Sequence, residues 1–197
     1  MHSHGRYPCQ VCAALIMTML VGCASTTMST TWKDPSAGVL DMRKIMVVVL
    51  NSSPAERRAL EDTLAAHVKR ASVVPSYPTL PDELLPDVHE AKRRIIASGV
   101  DGALVFRLLD TYKESTYVPP SVSTWDAGWY VAPSTVTPGY TLTDTFVRAE
   151  ISLYEVPSGN LVWAAASETV NPEDARAFAL DVIKAAGDEL RKQGLLP

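Results

Sequence analysis

A chain of 197 residues with a formal charge of −4, 47% hydrophobic and 20% charged residues has the composition of an ordinary globular domain, which excludes a disordered acidic tail, a coiled coil and a collagen-like chain. Its Lys and Arg residues form no basic block, so the clustered phosphate contacts of a nucleic-acid binder have no source. All three cysteines, Cys9, Cys12 and Cys23, fall in the first 23 residues, which leaves nothing downstream for a disulfide framework, a thiolate metal site or a cysteine nucleophile.

The N-terminal segment has the order of an export signal. Met1 to Pro8 carries Arg6, the apolar run Val11 to Val21 follows, and small residues close it. The run is too short for a permanent membrane helix, which takes ~20 residues. It ends in Leu20-Val21-Gly22-Cys23-Ala24-Ser25, which resembles the lipobox of bacterial lipoproteins. That resemblance implies cleavage before Cys23 and acylation of its thiol, with multiple acyl chains giving an anchorage that one chain cannot. In that family an aspartate after the cysteine tends to retain the protein at the inner membrane. With Ala24 in that place, the resemblance implies the outer membrane and a domain facing the periplasm. The blander readings of the same residues are an ordinary cleavable signal or a buried N-terminal helix.

Ala24 to Thr31 (ASTTMSTT) is small, hydroxylated and uncharged, and reads as a flexible tether. Trp32 is expected in an N-terminal strand or arm that caps the core. The organisation expected is a signal over 1–22, a lipidated cysteine and tether over 23–43, and one α/β domain over 44–197. Lys44 to Leu50 is a continuous apolar run of the kind buried on both faces of a sheet. Ser53, Pro54 and Glu56 then spell a capping box with Pro at the first helical position, opening a helix to about Arg70 with Leu60, Leu64 and Val68 on one stripe.

Ala71 to Tyr77 reads as a short edge strand broken by Pro75, and a proline-rich loop leads to a helix over Asp87 to Ser98 with Ala91, Ile95 and Ile96 inward. A strand from Gly102 to about Tyr117 begins apolar and turns polar. Thr141 to Val156 alternates Val147, Ala149, Ile151 and Leu153 with polar residues, the period of a half-buried strand. It turns at Pro157-Ser158-Gly159-Asn160 into a partner over Leu161 to Val170. Asn171 to Asp174 caps a last helix with the stripe Phe178, Ala179, Val182, Ile183, Ala186 and Leu190. The expected fold is therefore α/β, a mixed sheet of about five strands in the order β-α-β-α-β-β-β-α with helices packed on it.

This order resembles the small periplasmic domain shared by the curli secretion lipoprotein, the N-terminal domain of the Tol-system propeller protein and the lipoprotein activators of penicillin-binding proteins. The hairpin from Leu153 to Trp163 is similar to a phrase frequent in proteobacterial lipoproteins. Fold likeness does not by itself carry function.

The chemistry in the residues is sparse. His67 and His89 stand alone on separate helices, where a metal would need three or four convergent ligands. Asp110 with Glu114, or Asp144 with Glu150, could pair for acid/base work, but carboxylates on strands are commonly solvated or salt-bridged. No nucleophilic triad, cofactor motif or metal site is expected. The informative stretch is the 117–140 loop and its flanks, where Tyr112, Tyr117, Trp125, Trp129, Tyr130 and Tyr140 fall among four prolines. A connection this long between strands usually has a task, and Tyr and Trp are the residues of binding patches. Tyr117, Trp125, Trp129, Tyr130 and Tyr140 either dock a partner or fold back over the end of the sheet. The function expected is a non-enzymatic envelope lipoprotein binding a protein partner. Two other classes stay open: a small-ligand or enzymatic domain using the strand ends at Asn51–Ser53 and Ser76–Tyr77, and a secretion-channel subunit.

Overall fold

Lys44–Leu50, the apolar run, becomes a strand whose side chains alternate between two buried layers, Val47 and Val49 on one face and Met46 and Val48 on the other, each no more than 5% exposed. The computed structural model describes residues 25–68, 71–123 and 135–197. Within them the elements are β1 (Ser25–Lys33), β2 (Lys44–Leu50), α1 (Pro54–His67), β3 (Ser72–Pro75), α2 (Val88–Ala97), β4 (Gly102–Val118), β5 (Ser121–Ser123), β6 (Thr135–Thr137), β7 (Tyr140–Glu155), β8 (Leu161–Val170) and α3 (Ala175–Lys192), with a 3₁₀ turn at Asp82–Leu84. The main sheet has six strands in the order β1-β8-β7-β4-β2-β3, and β5 with β6 forms a separate small ladder. β2 is parallel to both β3 and β4, and the other pairings of the main sheet are antiparallel.

The capping box forms as written: Ser53 Oγ accepts from the Glu56 amide at 3.3 Å and Glu56 Oε2 accepts from the Ser53 amide at 3.0 Å. α1 and α3 cover one face of the sheet. Phe178, Val182, Ala186 and Leu190 from α3 meet Phe106, Ile151 and Trp163, with Phe106 edge-on to Phe178 at 5.8 Å. Among the described residues, the second face is covered over its parallel half, where Met46, Val48 and Ala103 pack with Leu80, Val100 and Val156.

Three expectations need correction. The sheet has six strands rather than about five, because Ser25–Lys33 pairs along β8 where a tether was expected. No apolar period announces this strand, since an edge strand is held by its backbone ladder. Its hydroxylated residues still suit the role, as in the 2.7 Å bond between Thr26 Oγ1 and Thr169 Oγ1. Trp32 lies in this strand, 46% exposed. The helix over Asp87 to Ser98 does not bury its stripe: no residue of α2 is buried, Ala91 and Ile95 are half-covered and Ile96 is exposed. Leu80 and Val100, from the segments flanking it, fill the space expected for that stripe. The first helix ends at His67, with Val68 extended at its C-cap, instead of running on to about Arg70.

Candidate functional site

β4 and β7 outrun their neighbours. β2 pairs with β4 only as far as Arg107, and β8 pairs with β7 only from Phe146. From Lys113 opposite Thr145 to Val118 opposite Tyr140, neither strand has a further strand beside it among the described residues. The result is a two-stranded arm, ~20 Å long at ~3.3 Å per residue, and the β5–β6 ladder continues past it.

Two asparagines with positive φ make the arm. Asn51 follows β2 at φ 60, and its Nδ2 donates to the Leu108 carbonyl at 3.0 Å. Asn171 follows β8 at φ 48. It donates its amide to the Thr145 carbonyl at 2.7 Å, accepts the Thr145 amide on Oδ1 at 2.8 Å, and donates Nδ2 to Asp144 at 2.7 Å. Asparagine is among the few residues that tolerate this left-handed conformation. Each one ends a flanking strand, satisfies the next groups on the strand beside it and turns its own chain away. At the root, Tyr112 stacks on Phe146 at 4.9 Å and donates its hydroxyl to Glu168 at 3.0 Å. Partial burial, and then the bond to Glu168, raise the Tyr112 phenol above its ordinary value.

Residues opposite each other share a face. One face of the arm carries Glu114, Thr116 and Val118 with Asp144, Leu142 and Tyr140, and the other carries Lys113, Ser115 and Tyr117 with Thr145, Thr143 and Thr141. Tyr117 is 64% exposed, and Tyr140 and Leu142 are each 49% exposed. The Tyr117 ring lies over Gly139, where any Cβ would collide with its hydroxyl. The structure thus brings Tyr117 and Tyr140 to the same end of the arm on opposite faces. Trp125, Trp129, Tyr130 and Cys23 lie outside the described residues. An isolated two-stranded ribbon is marginal in water, and its free edges are templates for another strand.

The carboxylates considered for acid/base work are dispersed. Asp110 pairs with Arg148 at 3.3 Å and Glu150 with Arg107 at 3.7 Å, both on the surface, where such pairs contribute little. Glu114 and Asp144 face each other across the arm. His67 and His89 are exposed. Among the described residues no group of three His, Cys, Asp or Glu could hold a metal ion, and no helix is long and apolar enough to cross a membrane.

The groups at the carboxyl ends of β2 and β3 bond within the protein. Glu61, fully buried, accepts the amides of Val49, Ser76 and Tyr77 at 3.0, 2.7 and 3.0 Å. The buried Arg57 donates to Glu61 at 2.9 Å, to Asp82 at 2.7 Å, to Ser76 Oγ at 2.7 Å and to the Leu80 carbonyl at 2.8 Å. Neither Arg57 nor Glu61 was expected from the sequence, although both share the face of α1 that carries Leu60 and Leu64. In the sequence the asparagines belong to a candidate ligand turn and to a helix-cap segment, and the cap of α3 is Asp174, which accepts from the Ala177 amide at 2.7 Å.

No protein-family model matches the chain, and no curated protein matches its sequence. Among solved structures, the PelC dodecamer from Paraburkholderia phytofirmans is 12% identical, with 83% of this chain and 96% of that one covered at a TM-score of 0.41. Lipoprotein GNA1162 from Neisseria meningitidis is 16% identical, with 76% and 99% covered at a TM-score of 0.41. At such scores these likenesses carry no argument about function.

Proposed function

We propose that the chain is a lipoprotein of the bacterial envelope, acylated at Cys23 and facing the periplasm from the outer membrane, whose α/β domain docks an envelope protein through the β4–β7 arm without catalysing a reaction. The arm carries this reading. Its two edges offer unpaired backbone groups beyond the sheet, so a partner strand can be added, and Tyr117, Tyr140 and Leu142 offer contact area that nothing among the described residues covers. The lipobox-like Leu20-Val21-Gly22-Cys23 supports the anchor. Docking is favoured over membrane insertion as a channel subunit on length and charge. A spanning strand needs ~9 to 11 residues, and Glu114 opposite Asp144 would carry two carboxylates into the bilayer.

The test is site-specific photocrosslinking in cells from Thr143 on the arm and from His89 on α2. The expected result is one defined envelope protein captured from Thr143 and not from His89. Tyr117→Ala with Tyr140→Ala and Leu142→Ala should abolish that capture and leave the melting temperature unchanged. Equal capture from both positions, or capture that survives the triple change, rejects the arm as the docking element. Cys23→Ser should release the protein from membranes and end fatty-acid labelling, and retention of both in that variant rejects the anchor.

A further inference from the structure

At the end of the sheet away from the arm, a cavity of about 1060 Å³ lies between α3, the last turn of α1 and the start of β2 and β3. That is the size of a site that takes a whole small ligand, ~300 to 1,000 Å³. Its walls are aliphatic, with Met42, Ile45, Leu104, Leu153, Ile183 and Leu190 among them, and among the described residues no Phe, Tyr or Trp lines it. A flat ring finds nothing there to stack on, whereas a methylene chain finds matching surface. Among the described residues, the buried polar side-chain atoms without a partner, at Ser52, Trp163 and Gln193, all lie elsewhere, so the buried walls offer a sugar ring no free polar side chain.

The mouth has the opposite character. Among the described residues lining it, Arg43, His67, Lys184 and Arg191 stand against one acidic side chain, Asp41, with Pro197 beside them. Arg43 pairs with Asp41 and Arg191 with Asp188, while Lys184, exposed, makes no hydrogen bond or ion pair among the described residues. One further residue has no explanation in protein packing. Gly187 sits inside α3, where glycine weakens a helix, yet a Cβ there would meet only the Arg191 guanidinium at 3.8 Å. The space it leaves open is the cavity it lines.

We infer that this cavity binds a single acyl chain ending in an anionic head, the chain along the aliphatic walls and the head at Lys184. A free fatty acid and a lysophospholipid share that chemistry. The site stands apart from the arm and does not depend on acylation of Cys23.

The experiment is calorimetric titration of the delipidated protein with palmitate and with palmitoyl-lysophosphatidylglycerol, each below its aggregation concentration. One saturable site for either anion is expected: palmitate alone identifies a fatty-acid site, the lysolipid alone a phospholipid site, and both the shared chemistry. Octanoate and hexadecyltrimethylammonium should each bind at least tenfold more weakly than the anion that saturates the site. Lys184→Glu should erase the preference for the anion. Gly187→Leu should narrow the cavity and weaken binding at least tenfold while the melting temperature holds or rises. The inference is overturned by absence of saturable binding for both anions, by the cation binding as tightly as the anion, or by undiminished binding in a folded Gly187→Leu protein.

Discussion

Glu61 holds the place that a bound anion takes in many open α/β folds, outside the carboxyl ends of parallel strands, and it is supplied by the protein itself. Its carboxylate gathers three backbone amides, the Ser76 hydroxyl and the Arg57 guanidinium with no exposure to water. Removing it leaves the buried Arg57 with Asp82 as its remaining counter-ion and three amides without an acceptor, so Glu61→Leu is expected to destabilise the domain by about 3 kcal/mol. Adding Arg57→Met should restore part of that loss. The remainder is the cost of the amides of Val49, Ser76 and Tyr77 left without an acceptor. Urea denaturation of the two variants reads both steps, and a Glu61→Leu protein as stable as the parent would mean that the network holds nothing. From sequence, a Glu four residues after an Arg looks the same on a wet helix face as on a dry one. What distinguishes this pair is that it interrupts the Leu60 and Leu64 face. Asp101 allows a pH test. It accepts the amides of Arg43 and Lys44 at 2.8 Å each, and these bonds, that to Lys44 first, lower its carboxyl below the usual 3.8. The stabilisation is therefore present above pH 3.8 and lost as the pH falls through the lower folded value. Asp101→Asn should melt below the parent at pH 7, and the gap should close in strong acid. A gap that widens on acidification contradicts that role.

At the scale of elements, legibility follows how each segment is held. α3 was readable because its stability comes from side chains: Phe178, Ala179, Val182, Ala186 and Leu190 recur at helical spacing and are buried. β7 was readable for the same reason at period two, with Ala149, Ile151 and Leu153 inward. β1 was not, since its backbone ladder to β8 leaves little mark on side-chain pattern. The aromatic residues flagged the segment between β4 and β7, yet the arm's root depends on Asn51 and Asn171, whose contacts join residues 57 and 26 apart in the chain. Because the Asn171 side chain accepts the Thr145 amide, Asn171→Ala should free that amide at the outer edge of the arm. Hydrogen exchange at Thr145 is expected to quicken at least tenfold with little change in the global melting temperature. Unchanged exchange there would show that the arm is held by other means.

At the scale of the molecule, β1 decides posture. It starts at Ser25 opposite Val170, in register through Phe146 with Tyr112 at the root of the arm. Ser25 is two peptide units from Cys23, at most about 7 Å. On the proposed anchor at Cys23, the arm end is the end of the sheet nearer the lipid and the Lys184 end is the farther one. A dye at Tyr117→Cys should be quenched by headgroup-labelled lipid in vesicles and a dye at Lys184→Cys should not, a difference that a flexible Gly/Ser insert before Ser25 should erase. Equal quenching in the uninserted protein would disprove the fixed stance. On that proposal, the residue at which β1 begins sets which end of the domain lies level with the headgroups.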